Sequence, residues 1–181
     1  AKADAVSDFY KGNTVTILLG TGPGATYDFY ARILAKHMAR HIPGEPAVVV
    51  SYMPGAGGLN MFNHLYNLAP KDGTVIGNTF GTLPVNQLFK PDAVRYDARK
   101  FNWLGSVSRD ITVLAVNADA PAQSLEAAKT IEMIVGSIGT GNGTYYFPSL
   151  VNTVLGTKIK IISGYPSGND IYKAMESREV H

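Results

Sequence analysis

The chain has 181 residues, 45% hydrophobic and 17% charged, the composition of one folded domain or two small lobes and not of a disordered or fibrous chain. Lys plus Arg is 16 and Asp plus Glu is 14, so the formal net charge is +2; with no basic run, this argues against a nucleic-acid binder. Cysteine is absent, which removes disulfides, thiol catalysis and cysteine-based metal sites, and no apolar run reaches the roughly 18 residues of a membrane span.

The first ten residues, AKADAVSDFY, carry no basic, apolar leader. They read as what remains after cleavage behind small residues, so an exported, periplasmic chain is the expectation. Thr14 to Leu19 is a β-branched apolar strand that ends in the turn Gly20-Thr21-Gly22-Pro23-Gly24. A helix follows from about Thr26, with Tyr30, Ile33, Leu34, His37, Met38 and His41 on one face. Thr26 or Asp28 can satisfy its first free amides. Backbone amides at such a strand–glycine–helix junction make an anion site.

Pro43 to Pro46 breaks the chain before Ala47 to Ser51, which reads as a buried strand. A second glycine loop, Pro54-Gly55-Ala56-Gly57-Gly58, opens a helix through Leu59, Phe62, Leu65 and Tyr66. Lys71-Asp72-Gly73 is a turn before a short strand, Thr74 to Ile76; Asn78 to Thr82 is a third glycine-containing loop, and Leu83 to Leu88 a short helix. Trp103 to Val107 and Ile111 to Val116 read as extended strands. Ser124 starts a short helix, Ile131 to Val135 is a strand, and Gly136 to Thr144 is the richest glycine loop, leading into a helix from Tyr145 to Leu155. Lys158 to Ile162 is a strand and Asn169 to Glu176 a last helix.

Alternating strands and helices predict an α/β fold with mainly parallel sheet, in which ligands lie beyond the C-terminal ends of the strands. The chain also contains a short internal echo. Thr26-Tyr27-Asp28-Phe29 and Thr144-Tyr145-Tyr146-Phe147 both open helices behind glycine, and the following strands lead into Tyr52-Met53-Pro54-Gly55 and Tyr165-Pro166-Ser167-Gly168. Two similar βαβ units, each aiming a helix start at a common cleft, would produce that echo.

Gly20-x-Gly22-x-x-Ala25 also fits a dinucleotide fingerprint, so a Rossmann-like oxidoreductase fragment is the alternative. That mechanism requires an acid at the end of the next strand, where this chain has Ser51-Tyr52. No glycine loop is followed by Lys-Ser or Lys-Thr, and no Gly-x-Ser-x-Gly elbow occurs. His37 and His41 have a metal-capable spacing but sit a helix away from the loops, so no metal, cofactor or catalytic residue is assigned. Asp28 reads as a helix-start carboxylate rather than a general base. Several places to hold an anion, and no group to transform it, predict a binding protein and not an enzyme.

At these loops the chain resembles the Bug-type extracytoplasmic receptors of tripartite tricarboxylate transporters. The resemblance rests on the Gly-rich turn with Asp28, Val48 to Gly58 (VVV-x-x-x-PGAGG), Ala69 to Thr74 (AP-x-DG-T), Gly136 to Thr144, and Gly164-Tyr165-Pro166. It implies a type II-like periplasmic binding protein with two lobes of mainly parallel sheet flanked by helices, a first lobe at 1–107 and a second at 108–181. Family members continue past the equivalent of Glu179-Val180-His181 to complete the first lobe, so that half-lobe is expected to be missing here. The implied ligand is a small carboxylate and the implied partners are membrane transporter subunits, with no nucleic acid and no direct membrane insertion. The resemblance places one carboxylate on Thr21, Gly24, Ala25, Thr26, Tyr27, Gly57, Gly58, Phe80, Gly81 and Thr82. It places the ligand's distal end on Gly143, Thr144, Tyr145, Tyr165 and Gly168. Pro23, Tyr27, Tyr145 and Tyr146 make the implied walls narrower and more aromatic than is usual in that family.

Overall fold

A helix absent from the sequence reading comes first: α1 (Ala5–Tyr10), capped by the Asp4 carboxylate on the Val6 amide. The structure, a computed structural model, describes residues 4–78, 80–89, 91–109 and 111–181. Strand β1 (Thr14–Leu19) is central in the first lobe. It pairs in parallel with β2 (Ala47–Tyr52), Thr14 opposite Ala47, and with β3 (Val75–Asn78), Leu19 opposite Asn78. Parallel neighbours need crossovers, supplied by α2 (Thr26–Met38) and α3 (Leu59–Asn67). Helix α4 (Leu83–Phe89) closes this part of the fold.

Side-chain alternation along β1 explains the two cores of this lobe. Ile17 and Leu19 are buried against Ala31, Leu34 and Met38 of α2, while Leu18 faces Leu59, Phe62, Phe80, Leu83 and Tyr96. The packed face of α2 therefore keeps Leu34 and Met38 of the expected stripe and adds Tyr27, Ala31 and Ala35, while Ile33, His37 and His41 are exposed. A pattern counted on large side chains misses the alanines that share in the docking of this helix. Strand β2 is also less buried than expected. It is the sheet edge, alternating between half-buried and exposed residues, with Val49 44% exposed.

The second lobe repeats the plan with β4 (Met133–Ser137), α5 (Gly143–Leu155), β5 (Ile159–Ser163) and α6 (Gly168–Glu176). Strands β4 and β5 are parallel, Met133 opposite Ile159, over a core of Ala122, Ala128, Met133, Val135 and Ile159. The final residue lies along β4: the His181 amide donates to the Ile134 carbonyl at 2.8 Å, and the Ile134 amide donates to His181 Nδ1 at 3.0 Å. The helix expected at Ser124 is a single 3-10 turn, Ala127–Lys129, with the Ser124 hydroxyl accepting from the Ala127 amide. No helix among the described residues is long and apolar enough to cross a membrane.

Neither Trp103 to Val107 nor Ile111 to Val116 forms a strand among the described residues. The pattern is that of a strand, but a ladder needs a neighbour, and neither sheet runs beside this stretch. Leu104, Ile111 and Val113 are accordingly 78%, 89% and 78% exposed. Limited proteolysis is expected to cut here first, with trypsin after Arg109 or chymotrypsin after Trp103 and Leu104, releasing two fragments that correspond to the lobes. First cuts inside α3 or α5 would contradict this.

Candidate functional site

In each lobe a strand ends in glycines and a helix begins, because glycine alone accepts the backbone turns that join them without strain. Gly24 has φ +85° and Gly139 φ +153°. The two sets of loops meet along one seam. The Gly22 amide donates to the Pro166 carbonyl at 3.5 Å, and the Asn169 side-chain amide donates to the Gly24 carbonyl. The Thr82 hydroxyl and the buried Asn86 side-chain amide both donate to the Gly141 carbonyl, at 3.0 and 3.2 Å. The Tyr146 hydroxyl, pushed above the ordinary tyrosine range by burial and the neighbouring Tyr145, donates to Asn86 Oδ1 at 2.7 Å.

The closest approach is backbone on backbone. A Cβ on Gly57 would lie 2.7 Å from the Gly141 nitrogen, and one on Gly141 would lie 2.6 Å from the Ala56 carbonyl oxygen. Any side chain at these positions would push the lobes apart.

Beside the seam, Asp28 ties the first glycine turn to the fold. Its carboxylate, 3% exposed, accepts from the Gly24 amide at 2.8 Å, from Arg32 Nε at 2.9 Å and from the Tyr52 hydroxyl at 2.6 Å. Burial alone would raise this carboxyl; the Tyr52, Gly24 and Arg32 hydrogen bonds together hold it below the usual carboxylate range. Asp28 thus ties the turn before α2 to the helix, while the residue before the helix, Ala25, makes no side-chain cap.

The expected ligand residues divide into three groups. Thr21, Gly57, Gly58, Thr82 and Gly143 lie at or beside the seam: Gly143 packs against Phe147 with the Thr82 methyl nearby, and Gly58 is backed by the Phe80 ring. Gly24, Ala25 and Thr26 form the turn into α2, with Gly81 exposed and Gly168 opening α6. The others have commitments elsewhere. Phe80 is 2% exposed and stacks edge-on with Tyr27 and Phe62 at 4.7 and 5.7 Å. The Thr144 hydroxyl bonds Asn142 Oδ1 at 3.0 Å and accepts from the Ile138 amide, completing the cap that Asn142 makes on α5. Tyr145 meets Tyr146 edge-on at 6.2 Å. The Tyr165 hydroxyl donates to Glu179 at 2.7 Å, which pushes it up to about 12.

Two residues were not legible as site residues in the sequence. Asn86 reads as a polar position in a short helix, and Asn169 as a helix start; their partners lie 55 and 145 residues away in the chain. For a dinucleotide the site is poorly furnished. Strand β2 ends at Tyr52, and the nearby acid, Asp28, is occupied by Gly24, Arg32 and Tyr52.

No protein-family model and no curated protein matches the chain in sequence. Solved structures match it closely in shape. A periplasmic transporter superposes with TM-score 0.76 at 21% identity, over 95% of this chain and 59% of its own. An R. palustris protein solved with adipate gives 0.65 at 18%, over 93% and 57%, and the periplasmic binding protein BugD gives 0.65 at 17%, over 94% and 58%. The chain has the fold of periplasmic solute-binding proteins. It spans 57–59% of the length of those three structures.

Proposed function

We propose that this chain is a solute-binding protein, or the larger part of one, that captures a small organic carboxylate between its lobes in the periplasm. Delivery to a tripartite tricarboxylate-type transporter completes the reading, with a lobe division near residue 107 and no catalytic step. The observation that carries it is the seam itself: two parallel βαβ units bring glycine loops and the starts of α2 and α5 to one interface. The positive ends of the helix dipoles favour an anion there. The adipate bound by one structural neighbour adds support for a carboxylate. The ligand enters with the lobes apart, and closure brings Gly22, Thr82 and Asn86 onto their partners in the second lobe.

Thermal unfolding across a panel of organic acids tests this. A ligand present at 100 times its Kd is expected to stabilise the protein by about 2.7 kcal/mol. No shift with any organic acid, together with a shift by NAD, would transfer the reading to a dinucleotide-binding fragment.

A further inference from the structure

Among the described residues, two buried side-chain atoms have no hydrogen-bond partner: Thr21 Oγ1 and Asn78 Nδ2. Buried polar groups are almost always satisfied, because an unmade bond leaves the full desolvation penalty standing. Both orphans belong to the first lobe, and both sit at the C-terminal ends of adjacent strands. Asn78 closes β3 opposite Leu19, the last residue of β1, and Thr21 follows Leu19 by two residues.

Thr21 is fully buried between Gly20, which lies against the Gly58 backbone of the same lobe, and Gly22, which meets Pro166 across the seam. The chemistry of the pair is one-sided. An amide nitrogen only donates, and a hydroxyl beside it donates equally well, so the missing partner is an acceptor. The buried Asp28 carboxylate is already committed to Gly24, Arg32 and Tyr52.

The geometry points to Thr21 and Asn78 as paired donors to one carboxylate of the bound ligand, with Asn78 as a specificity-determining residue. This rests on the solute-binding reading above and adds to it a residue of β3 and a polar floor at the strand ends. Two neutral donors in a closed, dry site discriminate strongly, since a ligand without an acceptor at that point leaves both unpaired. The pair therefore selects a carboxylate, or another group offering two acceptor lone pairs, over an ammonium or a methyl at the same position.

Calorimetric titration of succinate, adipate, citrate and benzoate into the wild type, Thr21→Val and Asn78→Asp provides the test. Thr21→Val is near-isosteric and is expected to weaken the best-binding acid about tenfold, while Asn78→Asp, which replaces the donor by a like charge, weakens it about a hundredfold. Without ligand, Thr21→Val should unfold at the same temperature or higher, because it removes an unsatisfied hydroxyl; a purely structural threonine would instead lose stability. Equal affinity in wild type and both variants overturns the pair while leaving the receptor reading intact. Absence of binding to the wild type by all four acids overturns both.

Discussion

Gly141→Val is expected to hold the lobes apart and to weaken carboxylate binding by tenfold or more without unfolding either lobe. The added Cβ would stand 2.6 Å from the Ala56 carbonyl oxygen and 2.8 Å from Leu59 Cγ. Reaching an ordinary 3.4 Å from that oxygen takes a retreat of about 0.8 Å. Gly141 is not among the glycines of positive φ, so the substitution tests the close approach and not backbone strain. The same carbonyl that accepts from Thr82 and Asn86 belongs to this residue, so any retreat stretches both bonds. Overpacking of this kind costs about 1–3 kcal/mol, and here it falls on the closed state alone. A ligand that requires closure loses affinity in the same proportion, tenfold per 1.4 kcal/mol. Small-angle scattering should show a larger radius of gyration for the variant, and titration a weaker Kd. Identical scattering and identical affinity would mean that the seam is not the closing surface.

The local units of the fold were readable, and the meetings between them were not. Strand β1 and the glycine turn before α2 follow from a β-branched run, glycine and a helix start, all within 20 residues. The same holds for β4, α5 and β5, whose observed limits differ from the expected ones by one or two residues. What a strand pairs with is a different matter. Trp103 to Val116 has the composition of sheet, yet its neighbours in the chain supply no edge for it, and periodicity carries no information about partners. The seam divides in the same way. Its glycines were legible as loops, but that Gly57 and Gly141 are needed by each other is a property of two lobes in contact. Thr21 was picked out by the family resemblance; Asn78 was not, because being unpaired is visible only once everything around it is packed.

Replacing Asp28 by alanine is expected to destabilise the first lobe by about 2–4 kcal/mol, since hydrogen bonds to a charged group are the stronger ones and their partners are left behind. Three groups converge on this carboxylate from separate places: the Gly24 amide in the turn, Arg32 one helical turn along, and the Tyr52 hydroxyl at the end of β2. Arg32 stands four residues on along α2, where such pairs meet, whereas Tyr52 comes from a different element. Arg32 also donates to Tyr52 at 2.8 Å, closing a triangle that ties α2 to the sheet edge and sets the turn carrying Thr21 to Gly24. The effect has a definite pH dependence. The folded-state pKa of Asp28 is depressed, so its contribution is present above the ordinary carboxylate pKa of 3.8 and is lost as pH falls through the lower folded value. Unfolding of wild type and Asp28→Asn should therefore differ most near neutrality and converge in acid. A difference that persists unchanged to the lowest pH at which the wild type stays folded would show that the carboxylate is not what holds the turn.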